Sequence, residues 1–170
     1  MAGYGLPNEQ HLSVVLQKSL EFDGHNIEII NGSVSGSTSA GGLNIAEWTL
    51  SENNIDLMIL CLGANDMLRG INPKETKNNL EEIIQIAKNK NIKVIIAGMI
   101  APTSYGFAYK KSFDKIFSDL SKKHKLQLIP FLLEGVAQNP KFNLSDGMHP
   151  NDQGTIIIGN TLKKAILENL

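Results

Sequence analysis

The residues best able to do chemistry lie near the end of the chain, in Asp146-Gly-Met-His149-Pro150. An aspartate placed a few residues before a histidine, in a turn, can set its carboxylate on one ring nitrogen. The other nitrogen is then free to act as a general base. The same spacing also describes an ordinary turn ahead of a helix cap. Gly147 and Pro150 fix the turn and bring the chemical reading level with the structural one. A second block, Gly63-Ala-Asn65-Asp66, directly follows the most continuously apolar run of the chain. An asparagine at the carboxyl end of a strand can aim its amide at a developing oxyanion, although Asn-Asp pairs commonly just cap or turn a chain. A third block, Asn31-Gly-Ser-Val-Ser-Gly36, offers the backbone N–H of Gly36 as another oxyanion donor. Its glycines do not fit the Gly-x-Gly-x-x-Gly of a dinucleotide loop. Val34 stands where a nucleophile elbow would need serine.

Other candidates carry less. Ser112-Phe-Asp-Lys115 has the Ser-x-x-Lys spacing of penicillin-binding enzymes, but it falls inside a helical pattern and no Lys-Thr-Gly follows, so it reads as helix surface. His11, His25 and His124 stand beside polar residues with no partner motif and read as surface histidines. A metal-dependent hydrolase using Asp146, His149 and Asp66 would have one motif histidine and no further ligand cluster, which does not make closed zinc coordination.

The elements that must position these residues alternate. Short apolar runs at 27–30, 56–62, 93–99 and 126–131 read as strands, and 56–62 is apolar on both faces, as in a parallel sheet. Helix stripes lie between and around them. Leu12, Val15, Leu16 and Leu20 form one, introduced by Pro7-Asn8 and stopped near Gly24. Leu80, Ile83, Ile84 and Ala87 form another, with Asn72 as cap and Pro73 in its first turn. Tyr109, Phe113, Ile116, Phe117 and Leu120 make a third, and Ile158, Leu162, Ala165, Ile166 and Leu170 the last. Such alternation predicts an α/β fold, a parallel sheet with helices on both faces, in a single domain over 1–170.

The net charge of -1, from 16 basic and 17 acidic residues, gives no field to attract nucleic acid or an anionic membrane. The mild clusters at Lys110-Lys111 and Lys122–Lys125 fall on helical segments and read as solvated faces. No apolar stretch is long enough to span a bilayer, so no integral membrane segment is expected. Cys61 is the only cysteine, lies in an apolar run and reads as a core thiol.

Taken together, the three blocks resemble those of the GDSL-type, or SGNH, hydrolases. Asn31-Gly-Ser-Val-Ser-Gly36 is similar to that family's second block, with Gly36 as the oxyanion glycine. Gly63-Ala-Asn65-Asp66 is similar to the third, with Asn65 as the oxyanion asparagine, and Asp146-Gly-Met-His149-Pro150 to the last, with Asp146 and His149 as acid and base. Ala2-Gly-Tyr-Gly-Leu6, Leu68-Arg-Gly70, Tyr105-Gly106 and Pro130-Phe-Leu-Leu-Glu-Gly135 resemble the branch of bacterial arylesterases and acyl-thioesterase/lysophospholipases. The likeness covers nearly the whole chain. It implies a flavodoxin-like sheet and hydrolysis of small acyl or aryl esters, thioesters or lysophospholipids by a Ser-His-Asp triad with no cofactor. The loops carrying Met67, Leu68 and Arg69, and Tyr105, would meet the substrate.

In that family a strand ending in Gly-Asp-Ser-Leu runs directly into the segment similar to Ala2-Gly3-Tyr4-Gly5. Here Met1 stands in its place, and no residue matches the nucleophilic serine. The expectation is that the first strand and the serine lie upstream of Met1, and that the chain as written is inactive. The alternative is a catalytically dead, acyl-binding remnant of the same fold. The compartment stays open: cytoplasmic as written, periplasmic or secreted if the upstream segment carries a signal peptide. In the flavodoxin-like order that first strand lies between the strands near 27–31 and 56–62, leaving their apolar edges exposed. Burying about five apolar side chains, at roughly 1.5–3 kcal/mol each, is worth on the order of 10 kcal/mol, comparable to the whole stability of a domain. The chain as written is therefore expected to be marginal or aggregation-prone. A urea melt checks this; a cooperative, strongly stable monomer would count against it.

Overall fold

The computed structural model describes residues 2–51 and 55–170; Met1, on which the N-terminal expectation turns, and residues 52–54 lie outside the described residues. Val94, Ile95, Ile96 and Ala97 are consecutive and all buried, which requires cover on both faces of the strand they form. That strand, β2 (Lys93–Ala97), lies between β1 (Leu57–Leu60) and β3 (Gln127–Ile129), in a three-stranded parallel sheet of order β1-β2-β3. Leu60 pairs with Ile96 on one side, and Ala97 with Ile129 on the other.

Parallel neighbours need long crossovers. From β1 the chain passes through α3 (Ala64–Leu68) and α4 (Pro73–Asn89) to β2, then through a 3-10 turn (Thr103–Tyr105) and α5 (Gly106–His124) to β3. Asn72 caps α4, its side-chain oxygen accepting from Lys74 N–H at 2.9 Å. Leu80, Ile83, Ile84 and Ala87 are buried along α4, and Phe113, Ile116, Phe117 and Leu120 along α5. With α2 (Ser39–Thr49) these elements form one compact unit, Gly36–Phe131. The residues up to Ser35 and Leu132–Leu170 form a second unit. It contains α1 (Leu12–Phe22), a 3-10 turn (Asn8–Gln10) and α6 (Asp152–Leu167). Leu12, Leu16 and Leu20 are buried on α1, and Ile158, Leu162, Ala165 and Ile166 on α6. Gly159 lets α1 approach, facing Val15 and Leu12. Lys163 reaches back from α6 to the Ser19 carbonyl at 3.0 Å.

Several expectations need correction. Residues 27–30 are not a strand: among the described residues no strand runs beside them, and the Gln17 side chain stands in for one. Its amide nitrogen donates to the Ile27 carbonyl at 2.8 Å, and its oxygen accepts from Ile29 N–H at 2.7 Å. In extended backbone the carbonyl of one residue and the N–H two residues on face the same side, so one carboxamide can serve both as a neighbouring peptide group would. Strand β1 is an edge of the described sheet and only Leu60 of it is buried; the strand covered on both faces is β2. Cys61 is half-buried as a residue, but its thiol is the buried part, as a core thiol's would be, and that burial pushes the pKa up. Leu170 lies beyond α6 and is exposed.

Helix α2 has no apolar stripe to announce it. Thr38 caps it, accepting from Gly41 N–H at 3.3 Å, and Gly42 leaves room for the Leu62 side chain. Replacing Gln17 with methionine should strand the Ile27 carbonyl and the Ile29 N–H. The expected cost is about 1 kcal/mol in a urea melt, with faster amide exchange at Ile29 against unchanged exchange in α6.

Candidate active site

Asp146 divides its two oxygens between backbone and ring. One accepts from Met148 N–H at 2.8 Å and His149 N–H at 2.9 Å; the other meets His149 Nδ1 at 2.8 Å. A carboxylate is acceptor-only, so it sets the ring proton on Nδ1 and leaves the Nε2 lone pair unprotonated. The His149 N–H, the Met148 N–H and the His149 ring, in that order, hold Asp146 down at about 2. Both side chains are partly open to solvent, at 41% and 38%.

The surrounding strap fixes the loop's ends. Leu144 N–H donates to the His149 carbonyl at 2.7 Å, Asn151 N–H to the Phe142 carbonyl at 3.0 Å, and Asn143 bridges Pro150. Gly147 takes φ +67°, which the reversal demands. Buried Asn143 donates its amide to the carbonyls of Val136 at 2.6 Å and Asn139 at 2.8 Å. Asn151 caps α6 through Gly154 N–H at 3.0 Å and grips the Lys141 carbonyl at 2.9 Å.

Asn65 and Gly36 belong to the other unit. Gly63 ends the β1 segment at φ +109°, with the Phe117 ring where a Cβ would come within 3.2 Å. Asn65 follows in the first turn of α3 and donates one amide hydrogen to the Ser37 carbonyl at 3.0 Å. An asparagine amide carries a second donor hydrogen, the one an oxyanion would use. Gly36 takes φ +73°, and Arg69 Nη2 donates to its carbonyl at 2.9 Å.

Beneath them Asp66, fully buried, accepts from Ser39 N–H at 2.8 Å, Ser39 Oγ at 2.5 Å and Thr76 Oγ1 at 3.0 Å. Asp66 thus ties the start of α2 to α3 and α4. Leu68 and Tyr105 lie in contact. Tyr105 Oη donates to the Leu68 carbonyl at 3.1 Å, and its ring lies on Gly70, where a Cβ would come within 2.7 Å. Met67 lies half-buried in α3, while Arg69 is exposed at its end.

Two histidines read as surface residues are not. His124 is buried, with Nε2 donating to Glu81 at 2.8 Å, and Glu81 also pairs with Lys123. His11 is half-buried and packs its ring over Gly3, where a Cβ would overlap it. Tyr4, which the sequence places only in the Ala2-Gly-Tyr-Gly-Leu6 block, sets its ring tilted against that of His149, with centroids 4.4 Å apart and planes at 33°. The partners of His124 and Tyr4, Glu81 and His149, are distant in sequence, so no local pattern announces those contacts. Ser112 lies exposed on α5, and Lys115 there pairs with Asp119 at 3.7 Å, so that spacing is helix surface.

The model of the GDSL-like lipase/acylhydrolase family matches residues 1–155. An arylesterase of Vibrio mimicus is 33% identical over 169 residues, 99% of this chain and 84% of that protein. The esterase TesA of Pseudomonas aeruginosa is 36% identical over 149 residues, 88% of this chain and 74% of that protein. The crystal structure of TesA superposes with a TM-score of 0.93 at 32% identity, covering 99% of this chain and 94% of that one. The fold is therefore the α/β fold of these hydrolases, and the chain belongs to the GDSL-like lipase/acylhydrolase family. By family it is an enzyme.

The Asp146 carboxyl is held below its ordinary 3.8, so its bonds add stability that is complete above that value and lost as pH falls through about 2. Its carbon-13 carboxyl resonance should titrate with a midpoint near 2, and the Met148 and His149 amides should move with it. Asp146→Asn keeps a backbone acceptor but removes the charge, so nitrogen-15 shifts of the His149 ring should report a mixed tautomer.

Proposed function

We propose that the chain carries the acid, the base and the oxyanion donors of a serine ester hydrolase for small acyl or aryl esters. Thioesters and lysophospholipids extend the same acyl-transfer chemistry. The observation that carries the reading is the Asp146–His149 pair, with its carboxylate on Nδ1 and Nε2 left as acceptor. Family membership and the arylesterase and esterase relatives support it.

No residue of the 170 matches the family's nucleophilic serine, and the reading assigns the attack to the serine of the family's Gly-Asp-Ser-Leu block. Its hydroxyl oxygen attacks the ester carbonyl while His149 Nε2 takes the proton. The charge that collects on the carbonyl oxygen is met by the second Asn65 amide hydrogen and the Gly36 N–H. His149 returns the proton to the departing alcohol as the C–O bond breaks, leaving an acyl-serine. Water, deprotonated by the same nitrogen, then releases the acid and regenerates the serine. Asp146 stays ionised throughout and stabilises the imidazolium. Leu68, Arg69, Met67 and Tyr105 line the approach for the acyl or aryl group, two apolar and one aromatic side chain around a single cation.

A second reading is a non-catalytic, acyl-binding module of the same fold. The test uses the 170-residue chain and a version extended at its N-terminus by an apolar strand ending in Gly-Asp-Ser-Leu. The extended chain should hydrolyse a nitrophenyl ester, and a fluorophosphonate should label the new serine. His149→Ala should lower kcat about 10³-fold and Asn65→Ala about 10²-fold or more. Full activity in His149→Ala would sink the base assignment. Saturable binding of a fatty acyl ligand by the extended chain without turnover would establish that second reading.

A further inference from the structure

We propose that Tyr4 is a positioning residue for His149, its ring holding the imidazole plane so that Nε2 keeps one direction. The role rests on the reading of His149 as the base. Asp146 grips the ring at Nδ1 alone, and one hydrogen bond on a partly exposed imidazole still lets the ring rock about the N···O axis. The Tyr4 ring, 4.4 Å away and tilted by 33°, covers a face of the imidazole and blocks that motion. Core packing does not account for Tyr4, which is 59% exposed; a large aromatic side chain left in solvent has no burial to recommend its place.

The backbone beneath Tyr4 is built to present it. Leu6 N–H donates to the Gly3 carbonyl at 3.0 Å, closing a turn with Tyr4 and Gly5 at its centre. Gly5 has φ +72°, the left-handed conformation that the third position of a type II turn needs. The turn is anchored from below by His11, whose ring lies over Gly3 and whose Nε2–H donates to the Leu6 carbonyl at 3.1 Å. It also touches the catalytic loop a second time, since a Cβ on Gly5 would come within 2.8 Å of Leu144 Cδ1. Leu144 itself takes the His149 carbonyl through its N–H at 2.7 Å. His149 is thus steadied at its ring nitrogen by Asp146, at its carbonyl by Leu144 and at its ring face by Tyr4.

The test reads ring order directly and works on the 170-residue chain whether or not it turns over substrate. Histidine is labelled with carbon-13 and nitrogen-15, and three-bond couplings give the His149 rotamer while ring nitrogen shifts give its tautomer. The wild type and Tyr4→Phe should show one rotamer with the proton on Nδ1. Tyr4→Ala should lose the single-rotamer couplings, with resonances of Leu16 and Ile158 unmoved. His11→Ala, which frees the turn, should move His149 in the same sense. A single, unchanged His149 rotamer in Tyr4→Ala overturns the proposal, as does disorder in Tyr4→Phe equal to that in Tyr4→Ala. Failure of the base reading shows elsewhere, as ester hydrolysis indifferent to His149→Ala, and leaves the ring-order result to stand or fall by itself.

Discussion

Parallel neighbours cannot be joined by a tight turn, and most of what the Gly36–Phe131 unit presents follows from that. Each strand must end, cross over through a helix and begin again at the same side of the sheet. The segments leaving β1 and β2 therefore emerge at the same, carboxyl, end. One of them carries Asn65, Leu68 and Arg69, and the other carries Tyr105. The bond from Tyr105 to the Leu68 carbonyl and the ring on Gly70 then join two loops that the strand sense had already brought near. Arg69 draws in the Gly36 carbonyl, and Asn65 the Ser37 carbonyl, so the loop ahead of α2 joins the same group.

Two aspartates show how surroundings assign work to one side chain. Asp66 has no exposed surface, and a carboxylate sealed from water must find donors for its oxygens. Ser39 and Thr76 supply them, and the product is a rigid junction of α2, α3 and α4. Asp146 lies in the open, yet two backbone N–H groups favour its charged form more than water does, which is why its carboxyl is held down at about 2. Its two backbone bonds cost little and shape the loop, and its second oxygen is left to orient an imidazole. The first carboxylate holds architecture together; the second decides which nitrogen of a histidine carries a proton.

What could be read from residues alone follows the range of the interactions. Helices α4, α5 and α6 were legible because an amphipathic stripe is a local signal, as was the Asp146–His149 pair, which sits within one turn. Residues 27–30 misled because an apolar run says that a segment wants cover, not that a second backbone lies beside it; a glutamine side chain does that work here. Helix α2 was missed because its opening residues, Ser-Ala-Gly-Gly, are chosen for a cap and for the approach of Leu62 rather than for helix propensity. Tyr4, His11, Asp66 and His124 each depend on partners elsewhere in the chain. Their roles become visible only once the fold has set those partners in contact.

The compactness of the strap around His149 has a consequence for how the protein assembles. Every bond that shapes it lies within residues 136–154, and the entropy of closing a loop grows only with the logarithm of its length. Asp146 and His149 can find one another early, with little of the chain ordered. The Asn65 amide and the Ser37 carbonyl are 28 residues apart and meet only after β1 and α2 have docked. The Asp146–His149 pair and the Asn65 contact are in this sense separate inheritances of the chain, the first a short cassette that carries its own instructions, the second a property of the assembled sheet.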